Sequence, residues 1–324
     1  MTGLTDALPE RQAAALRRAI QLEWATLAFL AVAITLVGIV MGGSQAMRAA
    51  WVEDLLSLAP PLAFLVAVRA MARPASPKYP YGSFRAVGVG HLVSGVALFA
   101  MGAVLFVESA LTLLRGERPP IGSVELFGQS VWLGWLMMGV MALTIPLPIW
   151  FGRQKMRLAR ELHNKVLYAD ADMNKADWMT AVGSIVGVAG IGIGWWWADA
   201  AAALFISGSI LWDGVKNTRA AITDLMDTRA TTFDDDGPHP DIDKVHDHLA
   251  SLRWIEDVRT RTRDQGQFFH IEAFVVPRRG KLPKLEDLAR AQEECRALDW
   301  KIHDIVIVPV AEFPDTADAR SDAR

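Results

Sequence analysis

Long apolar stretches separated by short polar ones fill residues 22–215, and the pattern then changes to the mixed periodicities of a water-soluble fold. Six segments approach the roughly 20 apolar residues that a helix needs to cross a bilayer. They are residues 22–41, 51–70, 87–114, 131–151, 173–197 and 198–215. The second and fifth carry acidic residues and span only if these are held inside the bundle. The last two abut, which predicts a tight hairpin around Trp195-Trp196-Trp197, an aromatic cluster suited to a membrane interface. Residues 216–227 follow the sixth helix, and 228–240 read as a polar linker. Beyond it, 241–252 has helical periodicity, and 255–263 and 268–276 alternate like strands around a turn at 264–267. Residues 285–298 are helical in pattern and 301–308 strand-like, giving the order α-β-β-α-β of a small two-layer unit. The expected fold is a membrane α-helical bundle of six helices (22–227) plus a C-terminal α+β domain (241–314). A cytosolic segment (1–21) precedes the bundle, and a disordered tail (315–324) ends the chain.

Composition agrees with this division. The chain is 52% hydrophobic and 21% charged, and the charge is concentrated outside the apolar segments. A net charge of −3 argues against a nucleic-acid partner. Cys295 is the single cysteine, which leaves no disulfide framework and no thiolate metal cluster. There is no nucleophile–base constellation, and the glycine-rich run 183–194 lacks the Gly-Lys-Ser/Thr ending of a phosphate loop. That run reads as a surface for close helix packing, and neither an enzyme nor a bound cofactor is expected. Glu10, Arg11, Arg17 and Arg18 lead directly into the first apolar segment, unlike a cleavable signal peptide. Basic residues collect between the second and third segments (Arg69, Arg73, Lys78, Arg85) and between the fourth and fifth (Arg153, Lys155, Arg157, Arg160, Lys165). The opposite side holds Arg48, Arg115 and Arg118. The excess of positive charge on one side places both termini in the cytoplasm of a protein of the plasma (inner) membrane.

Two acidic stretches carry the candidate chemistry. Residues 168–177 hold Asp170, Asp172 and Asp177 ahead of an uncharged run, and Glu53 and Asp54 sit inside the second apolar segment. Carboxylates in such places are costly and usually mark an ion path. At about 100° per residue, Ser57 projects between Glu53 and Asp54, so these three share a helix face. Asp170, Met173, Asn174 and Asp177 share another, from which Asp172 points away. If the two faces meet, their carboxylates need a cation or protons between them. A divalent cation would displace protons, and protonation would release it. That is the chemistry of a metal–proton exchanger.

The run Ala169-Asp-Ala-Asp-Met-Asn-Lys-Ala-Asp177 resembles the fifth-helix motif of the cation diffusion facilitators, usually written Ala-Asp-Ala-Leu-His-x-x-x-Asp. Pro80-Tyr-Gly-Ser-Phe-Arg85 is similar to the family's Phe-Gly-His-x-Arg/Lys loop, and Trp197-Ala-Asp199 and Asp224-Leu-Met-Asp227 match flanks of the sixth helix. The resemblance covers about residues 22–314. It implies a homodimeric antiporter exporting a divalent metal by alternating access, with a ferredoxin-like cytosolic domain that dimerises. It further implies a transport site of two i, i+4 pairs, which by position are Glu53/Ser57 and Met173/Asp177. Here Glu53 is a longer carboxylate than usual, Ser57 stands for an Asp, and Met173 for a His or Asp; Asp54 flanks Ser57 on the same face. Loss of the histidine weakens the case for Zn, the oxygen donors lean toward Mn, Fe(II), Co or Mg, and the Met173 thioether pulls the other way. Arg85 and Asp227 align with a basic–acidic pair at the family's dimer hinge. No auxiliary metal site is expected in the cytosolic domain or in the loop after the second helix. A transport-inactive dimer that senses metal or acts as a scaffold is the competing reading.

Plainer roles stand beside these. Glu53 and Asp54 would merely cap a second helix that began near Leu55, and Asp170 and Asp172 would cap the fifth. Met173 and His91 would pack, and His246 and His248, two apart on a helix, would face solvent separately. Pro60-Pro61 and Pro146/Pro148 predict kinks.

Overall fold

A computed structural model describes residues 8–73, 75–116, 121–126, 129–234 and 236–314. The chain forms two compact units. The larger, residues 14–70 and 86–222, is helical. It contains α1 (Glu10–Val40, whose first turn belongs to the smaller unit), α2 (Gln45–Leu56), α3 (Ala59–Met71) and α4 (Ala86–Leu114). A hairpin of β1 (Ser123–Leu126) and β2 (Gln129–Trp132) follows, then α5 (Leu133–Thr144), α6 (Pro146–Leu162), α7 (Lys165–Gly192) and α8 (Ala198–Leu225). The sequence pattern did not predict the hairpin.

Among the described residues, five stretches are long and apolar enough to cross a membrane: α1, α2–α3, α4, α5–α6 and α8. The sixth expected span, α7, has 28 residues but opens with Lys165, Asp170, Asp172, Lys175 and Asp177. Large apolar side chains such as Ile39, Val66, Trp135, Leu143, Phe205 and Trp212 lie exposed on these helices, as a lipid-facing surface requires. The chain is therefore a multi-pass membrane helical bundle with five to six spans.

Two spans are broken where proline removes a backbone donor. The second breaks at Ser57–Leu58 ahead of Pro60-Pro61, and the fourth breaks at Ile145, with Pro146 opening α6. The basic stretch expected to be a loop after residue 151 is helical as far as Leu162. His163 then adopts a left-handed backbone (φ 47°), and Asn164 caps α7 by accepting from the Leu167 N–H. Glycine allows the closest helix approaches. A Cβ on Gly102 would fall 2.6 Å from the Leu211 backbone nitrogen, and one on Gly190 would fall 2.4 Å from Ala198 Cβ.

The smaller unit joins residues 71–85 to 223–314. Its α9 (Asp241–Ser251), β3 (Ile255–Gln265), β4 (Phe268–Pro277), α10 (Leu285–Leu298) and β5 (Ile302–Pro309) follow the expected α-β-β-α-β order. β3 and β4 pair antiparallel across a turn in which Gly266 has φ 78°, and β5 adds parallel to β4. Ile242, Val245, Leu249, Phe269, Ile271, Val275, Cys295 and Ile305 build the core between sheet and helices. Burial and the neighbouring Glu294 push the Cys295 thiol up to about 12, which leaves it inert. Within the stretch expected to be a polar linker, Arg229 and Ala230 lie on the edge of β3. The Ala230 N–H donates to Thr262 O at 2.9 Å, and Ala230 joins the core.

Candidate functional site

The position of the first acidic stretch follows from how α2 begins. Ser44 caps the helix, accepting from the Met47 N–H at 3.2 Å. The buried Asp199 of α8 reinforces this terminus, accepting from the Ser44 hydroxyl at 2.5 Å and from the Gln45 N–H at 2.6 Å. A carboxylate there meets the positive end of the helix dipole. Asp199 was noticed in the sequence only as a motif match; its structural task is to anchor α2. Because α2 starts at Gln45, Glu53 and Asp54 fall in its last turn and cannot cap its beginning. No basic residue accompanies them there. Two carboxyl groups thus add to the negative end of a helix dipole at a break in the backbone, an arrangement that attracts cations.

The second stretch lies inside α7, since the helix starts at Lys165. Asp177 is therefore three turns in, beyond any capping position. The two stretches meet: the Ser57 hydroxyl donates to Asp177 Oδ1 at 2.8 Å. Glu53 is 1% exposed, and its Oε2 has no hydrogen-bond partner among the described residues. Its side chain lies in reach of the Thr180 hydroxyl and feels the charges of Asp177 and Asp54. Asp54 and Asp177 are half-buried because both open onto one small cavity between α1, α2, α5, α6 and α7. Its volume of ≈ 10 Å³ holds about one water-sized body.

The other candidates fall elsewhere. Met173 is buried and packs in an apolar cluster with Ala46, Ala49, Leu98, Leu105, Ala203 and Ile206. Asp170 pairs with Lys155 of α6, at 2.6 Å, beside Glu23 of α1. Sequence reading missed this grouping, although a glutamate within an apolar segment was a visible signal. His91 of α4 shares a 3.1 Å hydrogen bond with Asn217 of α8. His248, expected at the solvated surface, is partly buried and pairs with Glu294 at 3.1 Å. Among the described residues, no three His, Cys, Asp or Glu side chains converge as a ready-made metal cage. The hydroxyl residues Thr144 and Thr180 add to the polar lining of the cavity, and Ser57 reaches it through its bond to Asp177.

In the smaller unit, Asp227 ends α8 in a left-handed conformation (φ 60°) and holds two arginines. Arg85 pairs with Oδ1, and Arg263 of β3 lies 3.2 Å from Oδ2. Arg85 also donates to Leu225 O at 3.3 Å. Both partners are partly exposed, so the value of the contact lies in joining three segments more than in bare stability.

A family model described as the cation efflux transmembrane domain matches residues 24–226. The chain is also similar to a curated protein of Bacillus subtilis (strain 168) called uncharacterized transporter YdbO. The two are 27% identical over 202 residues, covering 60% of this chain and 64% of that protein, under two thirds of its length.

Proposed function

Because the chain belongs to the cation efflux family, whose transmembrane domain it carries over most of its length, we propose that it moves a divalent metal cation across the membrane. The ion leaves the cytoplasm in exchange for protons. The cation binds between α2 and α7, on Glu53, Asp54, Ser57 and Asp177, and alternates between the two sides as the bundle rocks. The observation that carries this reading is the Ser57–Asp177 hydrogen bond, which joins the two acidic stretches beside the buried Glu53. Beside the buried Met173 thioether, one helical turn before Asp177, the four donors are oxygens. Such a set favours Mn, Fe(II), Co or Mg over Zn or Cd.

The protein is a transporter in this reading and not an enzyme. It works as a homodimer of the plasma (inner) membrane with both termini cytoplasmic. The α-β-β-α-β unit is the dimerisation element, and Arg85–Asp227–Arg263 is its charged hinge. Metal uptake into proteoliposomes tests the reading, with Mn, Fe(II), Co, Zn, Cd and Mg compared for wild type and Asp177→Ala. Uptake of at least one hard cation that vanishes in the variant supports it. A folded protein that carries none of them overturns it in favour of a sensor or scaffold.

A further inference from the structure

Three buried ionisable residues that the proposed transport leaves unused meet at one point of the bundle. Lys155 of α6 is fully enclosed, with Nζ 2.6 Å from Asp170 Oδ2 of α7 and 2.9 Å from Glu23 Oε2 of α1. The contact to Asp170 is a hydrogen bond; the contact to Glu23 lacks the alignment of one. Asn174 adds its amide, donating to Asp170 O at 2.7 Å and to Oδ1 at 3.3 Å. Two carboxyl groups thus share one ammonium, with glutamate and lysine both 0% exposed.

Stability alone is a poor reason for such a cluster. Replacing a buried ion triad by apolar residues is often neutral or stabilising, and ionisable groups inside a membrane bundle usually serve an ion path. The placement is specific as well. Glu23 precedes the cavity residue Leu30 by seven positions on α1, Lys155 follows Pro148 by seven on α6, and Asp170 precedes Asp177 by seven on α7. Seven residues are about 10.5 Å of helix with about 20° of rotation. All three groups therefore lie on the helix stripes that line the cavity, displaced together toward the end where α6 passes into α7. The rings of Phe29 and Phe151, 5.8 Å apart, belong to α1 and α6 in the interval between.

We propose that Glu23, Lys155 and Asp170 form the gate between the cavity at Asp54 and Asp177 and the end of the bundle where α6 turns into α7. The proposal rests on the transport reading above. Lys155 stands in for a cation: its ammonium holds the two carboxyl groups together until a travelling divalent cation displaces it, and the clasp re-forms behind the ion. The three are positioning residues, acting on access to the site and not on the cation bound within it.

The test reads access directly. Thr144→Cys puts a thiol in the cavity wall, while Cys295 is buried and silent. The full-length protein in proteoliposomes is labelled with a membrane-impermeant cationic thiosulfonate, and Arg160→Cys, exposed in the last turn of α6, identifies the side being probed. From that side, Thr144→Cys alone labels slowly. Adding Lys155→Met raises the rate at least tenfold, Glu23→Gln raises it less, and the apolar triple Glu23→Leu/Lys155→Met/Asp170→Leu restores slow labelling. If Lys155→Met does not fold, Glu23→Gln decides, since it leaves one ammonium for one carboxyl group. Rates within twofold of the parent for every folded variant overturn the gate and leave only a structural clasp. Labelling needs no metal, so a failed gate in a transporting protein is distinguishable from an operating gate in one that carries nothing.

Discussion

Ser57→Ala removes a hydroxyl that joins the end of α2 to α7 at the candidate site. Ser57 is 2% exposed and its Oγ is 2.8 Å from Asp177 Oδ1. A buried acceptor stripped of its donor costs about 1–3 kcal/mol. Asp177 is half-buried and faces the cavity, where water can replace the hydroxyl, so the lower end applies. A loss of about 1 kcal/mol is roughly fivefold in any equilibrium that the bond supports. Unfolding in detergent should therefore move only slightly. The metal concentration for half-maximal uptake should rise further, about tenfold, because the variant also loses an oxygen ligand worth about 1.4 kcal/mol by that measure. Ser57→Thr keeps the hydroxyl and should stay within about twofold, taking that as under half a kcal/mol. The assay is the concentration dependence of metal uptake alongside an unfolding curve. An alanine variant that matches wild type in both would refute the idea that this contact belongs to the site.

Three further outcomes follow from other parts of the molecule. Asp199→Ala removes the acceptor for Ser44 and Gln45 at the start of α2 and should cost about 1–3 kcal/mol; hydrogen exchange should show α2 loosening before α1. Gly102→Ala drives a methyl into the backbone of α8 near Leu211, so it should destabilise by about 1–3 kcal/mol, read as a lowered unfolding midpoint in detergent. Burial raises the Asp241 carboxyl, but hydrogen bonds and charges from Lys244, Lys301 and His239 outweigh it and hold the group below its ordinary value. A depressed carboxyl stabilises above its unfolded pKa near 4 and loses that contribution as pH falls through the folded value. Asp241→Asn should thus weaken α9 at pH 7, and the difference from wild type should shrink below about pH 4 when followed by hydrogen exchange.

The smaller unit was legible because its signals are local. Alternation marks β3 and β4, Gly266 supplies the positive φ of their turn, and α10 begins and ends where its pattern does. The bundle was legible in its apolar spans but not in its helix starts. α2 begins six residues before the predicted 51 because Ser44 caps it with help from an aspartate 155 residues away. α7 begins eight residues before the predicted 173 because its first turns are polar, and hydropathy does not see a charged helix packed inside protein. The pairing of Ser57 with Asp177 could be guessed from helical projection and the family resemblance. The enclosure of Lys155 could not, because its position in a basic run reads as charge at the membrane surface. Only three-dimensional packing shows that one lysine of that run turns inward to two carboxyl groups.

The central claim is that α2 and α7 hold one cation at the expense of protons. The most direct measurement is proton release from the purified protein in unbuffered detergent solution as Mn²⁺ is titrated in, for wild type and for Asp177→Asn with Glu53→Gln. Wild type should release protons saturably, in step with metal binding, and the double variant should not. Metal that binds wild type without displacing protons, or that displaces as many from the variant, would contradict it.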